Sequence, residues 1–376
     1  MKTLSLIVLT VFSTLSFAQN TTSSTSNTYP PSGKVPTPKP EWLELIKGAN
    51  ITNAPVLKSN GDNGPSTSGE DKYCDWAKSG CTGSSIYDCP KGQWGLTFDD
   101  GPSTFSPILY DFLKTTNQKA TLFMIGANAA QFPDLVKRAY QEGHEIAIHT
   151  WSHPYLTTLT NEQVVAELKW TEQVIKDIIG VSPRLFRPPY GDIDNRVRDI
   201  GTALGFESVI WDHDTNDWML AEHAPGFKQE YIDGNFSQWV AEASTSQTGG
   251  LSLEHDIQKV TIDIAIKNLP ALQKAYKVVT VGQCAGVASY KESNATAPVN
   301  TTLTNTTIAT NASAVASSTQ IALTSVVTPS PSAGNNVAAA NASASPKANV
   351  AASSASTVTI SSVLVLLSAI STLYFA

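Results

Sequence analysis

The chain has 376 residues, with 32 Asp and Glu against 25 Lys and Arg, for a formal net charge of −7. No Lys/Arg cluster offsets that balance, which argues against a nucleic-acid partner and for a neutral or cationic substrate rather than a polyanion. Composition separates the chain into zones, and one of them, residues 73–290, is long enough for a single domain with a full core.

At the start, Lys2 precedes the apolar run Leu4 to Phe12, and Ser16-Phe17-Ala18 offers small residues for cleavage. Residues 1–18 read as a secretory signal peptide, since the apolar run is too short to span a bilayer. Residues 19–72 are rich in Ser, Thr, Pro, Gly and Asn and are expected to be a low-complexity segment that does not fold by itself. Trp42, Leu43, Leu45 and Ile46 are expected to dock one short piece of it on the folded part.

Within residues 73–290, short apolar runs alternate with longer periodic ones. Strands are expected near 93–98, 120–125, 145–148, 184–187, 207–211, 251–254 and 278–281, and helices near 106–116, 133–141, 161–179, 195–204, 231–243 and 261–276. The clearest helix carries Val164, Leu168, Ile175 and Ile179 at helical spacing, with Thr160 and Gln163 as a capping box and Gly180 placed to end it. Regular alternation implies an α/β fold with parallel strands and helices packed outside. Seven strands favour a short or incomplete barrel over an open sheet, with the chemistry at the C-terminal ends of the strands.

Residues 291–356 are dominated by Ser, Thr, Ala and Asn and read as a glycosylated stalk, with sequons at Asn294, Asn300, Asn305, Asn311 and Asn341. Further sequons at Asn20, Asn50 and Asn235 suit a secreted chain. Residues 357–376 are apolar or small and uncharged, and with the small residues around Asn349 they read as a GPI-anchor signal, Asn349 being the attachment candidate. A C-terminal transmembrane helix is the competing reading, but no Lys or Arg follows the tail as a cytoplasmic stop.

Cys74, Cys81, Cys89 and Cys284 are an even set on a secreted chain, so disulfides are expected rather than metal thiolates. Three connectivities are open. If the fold closes on itself, Cys89–Cys284 would staple first strand to last and Cys74–Cys81 would close a small loop.

Polar residues gather where expected strands end. Thr97-Phe98-Asp99-Asp100-Gly101-Pro102 puts two carboxylates at the end of an apolar run and then turns, so that one could bind a metal while the other accepts a proton. His149-Thr150-Trp151-Ser152-His153-Pro154 follows another strand, and Pro154 disfavours helix there. With Asp100, His149 and His153 would form a two-His, one-carboxylate set for a divalent ion, zinc first and cobalt as an alternative. In Arg187-Pro188-Pro189-Tyr190-Gly191-Asp192, Arg187 would hold Asp99 ionised and oriented, and the Tyr190 amide could face an oxyanion. Asp217, in an acidic and aromatic segment that ends at Trp218, could pair with His255 and make it a general acid. Asp256 is read as exposed and structural.

Together TFDDGP, HTWSHP, RPPYGD, DTNDW and LSLEHD resemble the five motifs, in order, of the polysaccharide deacetylases of carbohydrate esterase family 4, the group with the NodB homology domain. The likeness covers roughly residues 93–281 and implies an irregular (β/α) barrel. It implies Asp99 as general base, Asp100, His149 and His153 as ligands of one zinc or cobalt ion, and Arg187 as partner of the base. By the same resemblance Asp217 and His255 supply the acid and its orienting partner, Tyr190 an oxyanion donor, and Trp218 and Leu253 the apolar border of an acetyl pocket.

Among the family's substrates, a secretory signal, a glycosylated stalk and a GPI-type tail point to a fungal cell surface, where the wall contains chitin. The expected activity is therefore removal of acetyl groups from chitin or chito-oligosaccharide by a GPI-anchored monomer at the plasma membrane or, after transfer, in the cell wall. The runner-up is an O-acetyl esterase on xylan or another wall polysaccharide, and the non-enzymatic alternative is a glycan-binding wall protein. No separate chitin-binding module stands out, so Trp151 and Tyr155 are candidates for an aromatic rim that grips the polymer.

Overall fold

The computed structural model describes residues 28–59, 64–66 and 68–292. The signal peptide, Asn20, the stalk sequons from Asn294 onward, Asn349 and the tail at 357–376 lie outside the described residues.

The described strands are β1 (Gln93–Gly95), β2 (Thr97–Asp99), β3 (Thr121–Met124), β4 (Glu145–Ile148), β5 (Leu185–Phe186), β6 (Glu207–Ser208), β7 (His213–Asp214), β8 (Gly250–Leu253) and β9 (Lys277–Val279). They pair in parallel as one sheet ordered β2-β3-β4-β5-β6 and another ordered β7-β8-β1-β9. Two expected strands are each divided between the sheets. The segment at 93–98 changes partner at Leu96, whose amide donates to Val279 while its carbonyl accepts from Thr121. The segment at 207–211 pairs with β5 through β6 and, a few residues on, with β8 through β7. A ring of so few strands has to curve sharply, and long segments exchange neighbours where they bend. Because both sheets share these two segments, they wrap into an irregular barrel, and a bridge between Asp99 and His255 extends the contact of β2 with the β8 segment.

Strands β3 and β4 are buried along their whole length, as strands covered on both faces must be. The expected long helix spans Asn161–Ile179, with its capping box formed between Thr160 and Gln163 and Gly180 at φ 83. Its Val164, Val165, Leu168 and Ile175 are fully buried, each contributing roughly 1.5–3 kcal/mol relative to exposure. Short helices at Gly126–Gln131, Asp217–Ala221 and Val281–Ala285 were not expected, because two turns or fewer show no period to read.

Cys74 pairs with Cys81 and Cys89 with Cys284, closing separations of 7 and 195 residues. The second joins the segment before β1 to the helix after β9, and β1 and β9 are paired neighbours.

The N-terminal segment docks through Trp42, Leu43 and Ile46 as expected, and goes further than expected. More than one short piece is docked: Trp42 is buried edge-on against Trp170, at 5.0 Å between ring centroids. Trp151 Nε1 donates to the Pro31 carbonyl, Trp170 Nε1 to that of Thr37, and the Leu57 amide to Thr157. Thr52 donates twice to Asp199. A segment too polar to build its own core can still lie on a ready-made one when its backbone groups find partners there. Leu45 takes no part in this and is 50% exposed.

Asn50 is exposed, as a glycosylation candidate should be. Asn235 instead lies inside the helix Gln229–Glu242, half-buried, with its Nδ2 3.5 Å from the Thr215 carbonyl. A glycan on that nitrogen would displace the contact.

Candidate active site

The motif residues converge beyond the C-terminal ends of the strands. After β2 the chain turns through Asp100, at φ 75, and this bend lets adjacent carboxylates serve one site although strand neighbours point to opposite faces. Asn128 Nδ2 anchors the turn by donating to the Asp100 carbonyl. Gly101 leaves room for Asp256: a Cβ there would lie 2.2 Å from Asp256 Oδ1, so that buried side chain would have to move to admit any other residue. The loops after β4, β5 and β7 hold further non-glycine residues in the left-handed region, namely Thr150, His153, Tyr190 and Asn216. Such conformations cost of order 1–3 kcal/mol each and concentrate where geometry serves chemistry.

Asp99 is 1% exposed, and its Oδ1 accepts from Arg187 Nη1 at 2.9 Å. The same Nη1 donates to Thr97 Oγ1, Nη2 donates to the Ile210 carbonyl, and the guanidinium lies 4.3 Å from the Phe123 ring centroid. The pairing read from sequence is present, and the Arg187 charge and hydrogen bond favour the ionised form of Asp99 as expected. Burial outweighs the opposing charges of Arg187 and His255 and pushes Asp99 up to about 6.

His149 is buried, and its Nδ1 donates to the Arg187 carbonyl at 2.8 Å. Burial, aided by the neighbouring His153, pushes its pKa down to about 3, so the ring is neutral with its Nε2 lone pair free. That Nε2 lies 3.5 Å from Asp100 Oδ1, and His153 Nε2 lies 3.2 Å from the same oxygen. Burial alone would raise the Asp100 pKa, yet the histidines hold it well below the usual carboxylate range. Among the described residues, Asp100, His149 and His153 are the His/Cys/Asp/Glu set whose ligand atoms all lie within 4.8 Å of one another. Asp100 Oδ1 is buried without a hydrogen-bond partner and faces the lone pair of His149. A divalent cation resolves that opposition of lone pairs, and two imidazoles with a carboxylate suit it, so the residues present fit a metal.

On the far side, His255 Nδ1 meets Asp217 Oδ1 at 2.6 Å, and the His255 amide donates to Asp217 Oδ2. Burial works against the imidazolium, but Asp217, Asp100 and Asp99 outweigh it and push His255 up to about 10.

Leu253 is 5% exposed at the end of β8, and Trp218 is 38% exposed. The Tyr190 ring is half exposed, stacks on Tyr155 at 4.0 Å and meets His153 edge-on at 4.6 Å. Tyr155 therefore stands beside the site, whereas Trp151 is fully buried with its indole turned to Pro31 and is no part of a rim. Asp256 also differs from expectation. It is 2% exposed and accepts from Ser106 Oγ at 2.5 Å, because the chain turns inward after β8.

One contributor was missed altogether. Glu167, on the long helix and fully buried, accepts from the Trp151 amide at 2.7 Å, the Ser152 amide at 2.9 Å and Ser152 Oγ at 2.6 Å. It grips the loop between the two histidines. Its one signal in the sequence is a carboxylate on the apolar side of a helix, next to Leu168 and one turn from Val164.

Residues 87–209 match the family described as polysaccharide deacetylase. The chain is 46% identical over 209 residues to chitin deacetylase 1 of Cryptococcus neoformans, covering 52% of this chain and 44% of that protein. It is 37% identical over 267 residues to a chitin deacetylase of Amylomyces rouxii, covering 66% and 62%. Against chitin deacetylase 3 of Cryptococcus neoformans the identity is 37% over 279 residues, covering 70% and 67%. The chain thus spans about half the length of the first of these relatives and about two thirds of the others. On the family match and the extent of that last alignment, the chain belongs to the polysaccharide deacetylase family.

Proposed function

We propose that the protein is a metal-dependent deacetylase that hydrolyses the N-acetyl groups of chitin or chito-oligosaccharide to acetate and free glucosamine units. The observation that carries this reading is the placement of a buried carboxylate–arginine pair and a buried carboxylate–histidine pair beside one two-His, one-carboxylate cluster. The names of the fungal relatives support chitin as the substrate class.

Asp100, His149 and His153 would hold one zinc or cobalt ion. Such an ion supplies Lewis acidity and brings the pKa of water from ~16 toward ~7. Arg187 occupies Asp99 Oδ1, which leaves Oδ2 to take the proton of the attacking water, and a carboxyl raised toward neutrality is suited to holding it. The Tyr190 amide donates to the developing oxyanion. His255, tied by Nδ1 to Asp217, delivers a proton from Nε2 to the departing amine. Leu253 and Trp218 border the acetyl methyl, and the Tyr155–Tyr190 stack offers a face for the sugar.

Residues 73–290 are proposed as the catalytic domain, preceded by a cleaved leader at 1–18 and the segment 19–72, and followed by the stalk at 291–356 and a GPI signal at 357–376. The enzyme would act as a monomer at the cell surface or in the wall.

The test is acetate release from chitin pentamer by the purified protein with zinc or cobalt, followed by mass spectrometry beside Asp99→Asn and His149→Ala. Loss of acetyl groups with the parent alone, abolished by a chelator and restored by either metal, supports the reading. A parent that binds metal and pentamer yet releases no acetate overturns chitin as substrate. Inactivity on acetylated xylan as well would overturn the enzymatic reading.

A further inference from the structure

The turn that carries Arg187 and Tyr190 is held from outside by a residue upstream of the stretch that matches the family. Trp76 lies on the short helix Trp76–Ser79, inside the loop closed by the Cys74–Cys81 disulfide. Its indole packs 4.5 Å from that of Trp211, with the planes at 63°. Both rings close on Gly191: a Cβ there would lie 2.2 Å from Trp76 Cζ3 and 3.2 Å from Trp211 Cη2. Gly191 has φ 66 and directly follows Tyr190, itself at φ 60. Trp211 in turn lies 5.5 Å from the Arg187 guanidinium that pairs with Asp99.

The loop that presents Trp76 is anchored by its backbone as well as by its disulfide. The Trp76 amide donates to the Ile193 carbonyl, and the Asn195 amide to that of Tyr73. Arg198, 3% exposed, donates to the carbonyls of both Cys74 and Cys81 and also to Ser85 Oγ. One buried guanidinium thus fixes both ends of the disulfide loop to the helix Asn195–Ala203, which begins three residues after the Arg187–Asp192 turn. Anchored in this way, the indole meets the turn as a fixed surface. A residue held in the left-handed region, as Tyr190 is, keeps that conformation only when its surroundings enforce it.

We propose that Trp76 is a positioning residue: the indole, presented by the Cys74–Cys81 loop, clamps Gly191 against Trp211 and so sets the Tyr190 amide and steadies the Arg187–Asp99 pair. The catalytic part of this inference rests on the deacetylase reading given above, whereas the clamp on the turn does not.

The experiment compares the full chain with Trp76→Ala, Trp76→Phe and the double variant Cys74→Ser/Cys81→Ser. Hydrogen exchange is read at the Tyr190, Gly191 and Asp192 amides without substrate, metal affinity by competition with a chelator, and kcat and KM on chitin pentamer well below Tm. Expected for Trp76→Ala are exchange at these amides faster by about tenfold or more and kcat lower by roughly tenfold to a hundredfold. KM should stay within about threefold and metal affinity should be unchanged. Trp76→Phe should recover part of kcat, and the cysteine variant should shift exchange and kcat in the same direction by less.

A Trp76→Ala protein with lower Tm but parental exchange at the turn and parental kcat overturns the proposal, since ordinary packing predicts that result. If Trp76→Ala does not fold, parental exchange and kcat in both other variants overturn it. If the parent itself releases no acetate, the function reading fails, while the exchange measurement still decides the clamp.

Discussion

Removing the Glu167 carboxylate should loosen the histidine loop and cost stability and metal affinity together. The side chain is fully buried and accepts two backbone amides and one hydroxyl of Trp151 and Ser152. Glu167→Ala leaves those donors without an acceptor in a dry setting, at about 1–3 kcal/mol for each amide. Allowing for partial rearrangement, the sum is about 3–5 kcal/mol, or a fall in Tm of roughly 6–20 °C for a domain of this size. Because the gripped residues lie between His149 and His153, metal affinity should fall about 10–100-fold, as when an orienting partner of a ligand is lost. Glu167→Gln keeps the volume but turns an NH2 group toward donors, so it should fall between parent and alanine. Thermal unfolding by circular dichroism gives the first quantity, and competition with a chelator for zinc gives the second. A Tm within about 2 °C of the parent, together with metal affinity within about twofold, would refute the argument that this carboxylate holds the loop.

Asp217→Asn removes the largest of the charges that raise the His255 pKa, so the basic limb of the kcat profile should move to lower pH than in the parent. The rate itself should drop about 10²–10⁴-fold, and an unchanged limb in a pH–rate series would count against His255 as the acid. Gly101→Ala places a methyl 2.2 Å from Asp256 Oδ1 in the turn that carries both carboxylates, so activity should be lost, with metal binding weakened at 25 °C. Parental activity would mean that the turn can yield there. His144 is buried, accepts from the Ala120 amide through Nδ1, and is pushed by burial down to about 4. Its ordinary pKa of 6.5 belongs to the unfolded chain, which takes up a proton first as the pH falls. Stability should therefore decline between pH 6.5 and about 4, by about 3 kcal/mol from this group, and His144→Gln should lose that share of the slope in urea unfolding.

Much of the fold was legible because burial on both faces leaves long apolar runs. Strands at 121–124 and 145–148 and the capped helix at 161–179 fall within a residue or so of where period and caps put them. The places where segments 93–99 and 207–214 leave one sheet for the other could not be read, since partner exchange depends on the curvature of the closed ring and not on the residues that bend. Trp42 and its apolar neighbours announced one docked piece of residues 28–59, but the extent of the docking was hidden for a related reason. Its polar composition says that it cannot fold by itself, and says nothing of the indoles and backbone groups waiting on the neighbouring surface.

The site divides along the same line. The sequence by itself determined which chemical groups end the strands, because the motifs are local: Asp99 and Asp100, His149 and His153, Arg187, Asp217 and His255 each follow a recognisable apolar run. Only the tertiary structure decided what surrounds them. Burial raising Asp99 to about 6, the Arg187 carbonyl that selects the His149 tautomer, Glu167 beneath the histidine loop and Trp76 against Gly191 all join residues far apart in the chain. A residue's type is carried in its own position, whereas its desolvation and partners belong to the packed whole, and these set its pKa and its orientation.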